Sequence, residues 1–218
     1  MNVDEKEVLR YLGCSSRTAD DLLRRNVAGC IETLLKICTP RSIYKVFPVT
    51  FLPDAVQIGN LNVAGSDLRG HIRGCKKAVI FAATLGIQAD LLIERTSKTD
   101  MSRAAILQAA AAAMTESYCD EQEAFISAKA EQEGLFLRPR YSPGYGDFAI
   151  THQRDILTLL DCPKRIGLTM TESCMLVPTK SVTAVIGLTT EKSGCTISKC
   201  MGCNSKNCPF RKEAKAEN

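Results

Sequence analysis

Residues 138–147 read Arg-Pro-Arg-Tyr-Ser-Pro-Gly-Tyr-Gly-Asp, with two prolines and two glycines among ten positions. Proline has no N–H to give a helix interior or a central strand, and its ring restricts φ. The stretch is therefore expected to be an extended, conformationally fixed loop. Its glycines leave the main chain open to close approach by a ligand.

Working outward, the longest helical pattern lies just upstream, from about Asp100 to Gly134. Its centre, residues 109–113, is all alanine. Alanine has the best helix propensity and no bulk, so this helix is expected to lie close against a sheet or another helix. Gly134 supplies its stop. Residues 78–84 form a continuous apolar run that reads as a buried strand, and 87–97 read as helix. Residues 42–51 and 55–63 read as two strands around the Pro53-Asp54 turn, and Ser66 is a cap for a short helix reaching Gly74. Residues 4–38 carry two helical patterns. Gly13 ends the first, and Ser16 or Thr18 caps the second. In the second, Leu22, Leu23, Val27, Ile31, Leu34 and Leu35 recur at helical spacing, with Cys30 and Cys38 as small buried hydrophobes. Downstream of the loop, a helix is expected over about 151–160 and strands over 166–171 and 181–189. Helices and strands mix without regular βαβ alternation. The expected fold class is α+β, a mainly antiparallel mixed sheet covered by helices.

The 218 residues, 45% of them hydrophobic, suffice for one sizeable core. The net charge of +4 comes without a dense Lys/Arg run, which argues against a nucleic-acid partner. Trp is absent and aromatics are 6%, so no base-stacking surface is expected. No apolar stretch reaches the roughly 18 residues of a membrane-spanning helix. The start, MNVDEKEVLR, is charged and amphipathic rather than a signal peptide, which points to a cytoplasmic protein. There the eleven cysteines are expected to be reduced or metal-bound. His71 and His152 stand apart from any ligand pattern. Neither G-x-S-x-G, nor a phosphate-cradling glycine loop, nor H-E-x-x-H occurs.

Four cysteines crowd the C-terminal end: Cys195, Cys200, Cys203 and Cys208, spaced C-x4-C-x2-C-x4-C and followed by Pro209. Thiolates at that spacing can surround one metal centre. Close-set cysteines ending in Cys-Pro suit an iron–sulfur cluster, here of the 4Fe–4S type, whereas zinc sites use two separated pairs. Structural zinc stays open as the alternative. Gly194 and Gly202 free the backbone to wrap a centre, and Lys199, Lys206, Arg211 and Lys212 offset thiolate charge. A boundary near Thr190 divides the chain into residues 1–190, with N-terminal helices over 1–40, and a cysteine-rich segment over 191–218.

The stretch Arg140-Tyr-Ser-Pro-Gly-Tyr-Gly146 resembles the R-x-A-P-G-Y-P loop of the activation domain of cobalamin-dependent methionine synthase. Ile166-Gly-Leu-Thr-Met-Thr-Glu-Ser173 resembles that domain's I-G-x-x-L-T-E-S stretch, and Met175–Val182 its A-M-W-P-G-A-S-V. Thr115-Glu116-Ser117 resembles a helix carrying A-E-A. Order and intervals agree over about residues 100–190. The resemblance implies an S-adenosylmethionine-binding fold and a role in reactivating the synthase. In that role, cob(II)alamin takes one electron and a methyl group from S-adenosylmethionine to return to methylcobalamin. It implies that Arg140 contacts the donor's carboxylate end. The backbone at Ser142 and Gly144, with Tyr145, would cradle the adenosine, and Glu116 would face the cationic, amino-bearing side. The cobalamin belongs to the partner, and an electron donor is needed. The expectation is a free-standing subunit that does not turn over alone, with the cysteine segment as electron relay. The alternative is an iron–sulfur or zinc-stapled scaffold that keeps the fold without the ligand. Ser142 stands where the family has alanine and Gly146 where it has a second proline. Thr190–Gly194 holds no tyrosine where a family strand has one near the donor.

Overall fold

The computed structural model describes residues 1–14 and 19–192. Six strands form one sheet: β1 (Arg41–Phe51), β2 (Ala55–Ile58), β3 (Leu61–Ala64), β4 (Lys77–Thr84), β5 (Phe136–Leu137) and β8 (Ser181–Thr189). Their order is β3-β2-β1-β4-β8-β5, with every pairing antiparallel. A separate pair joins β6 (Thr169–Met170) to β7 (Leu176–Val177). The fold is α+β with an antiparallel sheet, as the sequence leads one to expect.

Alternation along the central strands sorts their side chains onto two faces. Ala78, Ile80, Ala82 and Val185 face a core completed by Phe148, α3 (Asp67–His71), α6 (Gln153–Leu160) and α7 (Cys162–Ile166). Val79, Phe81, Ala83, Ala184, Ile186 and Leu188 face the C-terminal half of α5 (Met101–Gln132), through Cys119, Ile126 and Ala130. The alanine-rich half of α5 packs instead among α1 (Glu5–Tyr11), α2 (Asp21–Ile37) and α4 (Ile87–Ser97). Ala109, Ala110, Ala111 and Ala113 are buried there, so small side chains let helices close in on several sides of one helix. Asp100 caps α5 by accepting from the Arg103 N–H at 2.9 Å.

Four local expectations change. Residues 55–63 are a hairpin rather than one strand, because Gly59 at φ 60° and Asn60 turn the chain between β2 and β3. Residues 166–171 are not one strand. Pro163 starts α7, Gly167 at φ 69° stops it, and only β6 follows. Asp20 caps α2, with its carboxylate accepting from the Leu23 N–H at 2.7 Å; Ser16 and Thr18 lie outside the described residues. Ser66 makes no side-chain cap bond, and that place is taken by Asp147. Among the described residues, no helix is long and apolar enough to cross a membrane.

Candidate functional site

The site begins on α5. Glu116, Asp120 and Glu123 recur at i, i+4 and i+7, which places their carboxylates on one face of the helix. The Arg140 side chain, only 7% exposed, enters this face from the loop. Its Nη2 donates to Glu116 (3.1 Å) and Asp120 (2.6 Å), and its Nη1 donates to Glu123. Burial opposes the guanidinium's charge, but Glu123 and Asp120 outweigh it and hold its pKa above the ordinary arginine value. Three carboxylates around one cation leave the cluster formally negative.

The loop after Arg140 is fixed from both sides. Tyr141 exchanges both main-chain bonds with Val185 of β8, at 2.8 and 2.9 Å. His71 Nε2 donates to the Pro139 carbonyl at 2.7 Å, and the His71 ring packs on Tyr141 with centroids 4.9 Å apart. The Asp147 carboxylate accepts from the main-chain N–H groups of Ser66 (2.6 Å) and Asp67 (3.1 Å), while Asp67 accepts from the Asp147 N–H (3.0 Å). The Ser66 N–H and its neighbours hold the Asp147 carboxyl below the usual carboxylate range. This reciprocal clasp closes the turn containing Gly144 (φ 95°) and Gly146 (φ 53°).

Between α5, the loop and β8 lies an open cleft of about 200 Å³, lined in part by Glu116, Arg140, Ser142, Tyr145, Gln153 and Thr183. Its floor is a sheet edge. Arg138 N–H donates to the Gly187 carbonyl (2.8 Å) and Tyr141 pairs with Val185. Odd-numbered residues of β8 thus direct their main-chain groups away from β4. Beyond Tyr141, no described strand pairs with this edge at Ser181–Thr183. Pro143, Leu176 and Val182 add apolar wall.

The fold therefore brings Glu116, Arg140, Ser142 and Tyr145 to one cleft, with Gly144 in the adjoining turn. Tyr145 is 58% exposed at the mouth. Asp120, Glu123, His71 and Gln153 were not anticipated. The first two carry a legible signal, helical spacing from Glu116. Cys195, Cys200, Cys203 and Cys208 lie outside the described residues. Among the described residues, no group of three or more His, Cys, Asp or Glu side chains is placed to hold a metal ion. The described cysteines include buried thiols: burial pushes Cys38 up to about 11, and Cys119 and Cys162 up to about 12.

The profile of the vitamin B12 dependent methionine synthase activation domain matches residues 72–208. The chain belongs to this activation-domain family. The match takes in α5, the clasped loop and β8, and so the whole cleft. Comparison with curated protein sequences gives no match. Among solved structures, the crystal structure of the MetH reactivation domain bound to AdoHcy is similar in fold. It has 17% sequence identity and a TM-score of 0.64, over 85% of this chain and 73% of that one.

Proposed function

We propose that the chain binds S-adenosylmethionine in the cleft and serves the reductive reactivation of a cobalamin-dependent methionine synthase. The observation that carries this is the meeting of three features in one cleft: a formally negative helix face, a clasped Pro-Gly-Tyr loop and an uncovered sheet edge. The ligand carries an ammonium and a sulfonium, which suit Glu116 and its neighbours. A guanidinium has five N–H donors, and three carboxylates engage Arg140. The donor's carboxylate would join that same fork. Ser142 and Gly144 would offer main-chain groups to the adenosine, with the Tyr145 ring beside it. The bound AdoHcy of the MetH reactivation domain, the demethylated form of this ligand, supports the choice.

In this reading the partner's cob(II)alamin accepts one electron to become cob(I)alamin. The reduced cobalt attacks the methyl carbon, the carbon–sulfur bond breaks, and its electron pair stays on sulfur. Methylcobalamin and S-adenosylhomocysteine result. The protein's own residues hold the sulfonium and orient its methyl group toward the partner. The cysteine segment, residues 191–218, would hold the iron–sulfur group through Cys195, Cys200, Cys203 and Cys208 and supply the electron from a separate donor. Lys192, the last described residue, lines a second cleft together with Asp120 and Glu123 of the acidic face. Thiolate and cobalt chemistry of this kind belongs in a reducing compartment such as the cytosol.

Thermal melts with S-adenosylmethionine or S-adenosylhomocysteine test the core of the proposal. Saturation at a hundred times Kd should stabilise the protein by about 2.7 kcal/mol. No shift at millimolar ligand would remove the basis for it. Anaerobic purification with iron, sulfide and zinc analysis and EPR tests the electron relay; stoichiometric zinc without iron sinks it.

A further inference from the structure

We infer that the Gln153 carboxamide reads the 6-amino edge of the ligand's purine, an assignment that rests on the S-adenosyl reading of the cleft. Gln153 opens α6 and is only 6% exposed, yet it lines the cleft beside Leu176 and Thr183. A carboxamide has two N–H donors and two carbonyl lone pairs. The protein takes one of each. Nε2 donates to the Cys174 carbonyl at 2.7 Å, and Oε1 accepts from the Thr183 hydroxyl at 3.2 Å. The Cys174 carbonyl can only accept, so the amide's orientation is fixed by chemistry. One N–H and one lone pair are left on a wall of the cleft, where buried polar groups call for partners.

That pair complements a group presenting an acceptor beside a donor. Adenine does so with N7 or N1 next to its 6-amino group, and a glutamine amide meets such an edge with two bonds. A carboxylate offers only acceptors, and an ammonium offers none. Charge sorts the two ends the same way. Val182 packs toward the α5 side of the sheet, where Glu116, Asp120 and Glu123 stand. Thr183, its neighbour, bonds Gln153 on the α6 side. The cationic end of the ligand thus belongs on the α5 side of the β8 edge and the base on the α6 side, with Pro143 and Leu176 for the ring to lie against. No tyrosine at Thr190–Gly194 is then needed for the adenine.

The test is calorimetric titration of the full chain with S-adenosylhomocysteine and S-inosylhomocysteine. In the second, an oxo group replaces the 6-amino group and N1 becomes a donor. The wild-type protein should prefer the adenosyl ligand by roughly tenfold to a hundredfold. Gln153→Leu and Gln153→Met should lose most of that preference, whatever happens to absolute affinity. The ratio separates base reading from the loss of the Cys174 and Thr183 anchors. Wild-type binding of neither ligand overturns the S-adenosyl reading itself. Equal wild-type binding of both, which needs no variant to fold, overturns the assignment of Gln153 alone. Full preference in either variant does the same.

Discussion

Replacing Gly146 with alanine should strain the loop that carries Arg140, Ser142 and Tyr145 and loosen its clasp. Gly146 sits at φ 53°, a region that costs a residue with a side chain roughly 1–2 kcal/mol. The new Cβ would also overlap Asp67 Oδ2 and lie 2.7 Å from the Tyr141 hydroxyl. Asp67 would have to swing aside and give up the Asp147 N–H that it accepts at 3.0 Å. Crowding of this kind adds on the order of 1 kcal/mol or more. The sum is about 2–3 kcal/mol, or about 5–10 °C in Tm for a chain of this size. A double-mutant cycle separates the parts. In an Asp67→Ala background the overlap with Asp67 is gone, and Gly146→Ala should cost only the φ share and the remaining contact with the Tyr141 hydroxyl. The coupling between the sites is then about 1 kcal/mol. Urea denaturation of the four proteins, at matched m-values, measures it. A Gly146→Ala protein within about 0.5 kcal/mol of wild type, or equal costs in both backgrounds, refutes the clasp as described.

Arg140→Met takes the cation from among three carboxylates. It should cost about 1–3 kcal/mol, less than a fully buried pair would, because the Glu116 and Asp120 side chains are 47% and 66% exposed. The cost should shrink in high salt as the leftover carboxylates are screened, and a salt-independent cost in urea melts would assign it to packing. Asp147 has its folded pKa below the ordinary carboxylate value. Its contribution to stability is therefore present above its unfolded pKa and is lost as pH falls through the lower folded one. The stability gap between wild type and Asp147→Asn should be open at pH 6 and close toward pH 3, and a gap that widens on acidification contradicts the clasp. Cys119 and Cys162, with thiols pushed up to about 12, should resist iodoacetamide at pH 8 in the native protein and label on denaturation. Mass spectrometry showing rapid native labelling at either would contradict their burial.

The parts of the fold legible in the sequence are those whose own residues mark the element: the helical spacing of apolar residues in α2, the continuous apolar run of β4, and the alanine-rich centre of α5 with Gly134 as its stop. The hairpin of β2 and β3 was lost because Val56, Ile58, Leu61 and Val63 read as one apolar series, although Gly59-Asn60 is itself a two-residue turn signal. α7 was missed because Ile166, Leu168 and Met170 alternate as a strand would, whereas in the fold Ile166 closes a helix that Gly167 stops. The acidic face could be extended from Glu116 by counting along α5. Gln153 could not be found that way, because its partners lie 21 and 30 residues away in the chain. Position 146 joins the two cases. As a sequence feature, Gly146 is a departure from the family's second proline. In the fold, φ 53° is closed to a proline ring, and the space where a side chain would start is held by Asp67. This loop is fixed from outside, by the exchange between Asp67 and Asp147. Substitution of one fixing device for another keeps Arg140 and Tyr145 where a ligand can use them. The mismatch to the family pattern at this residue is therefore compatible with the binding role proposed for the loop.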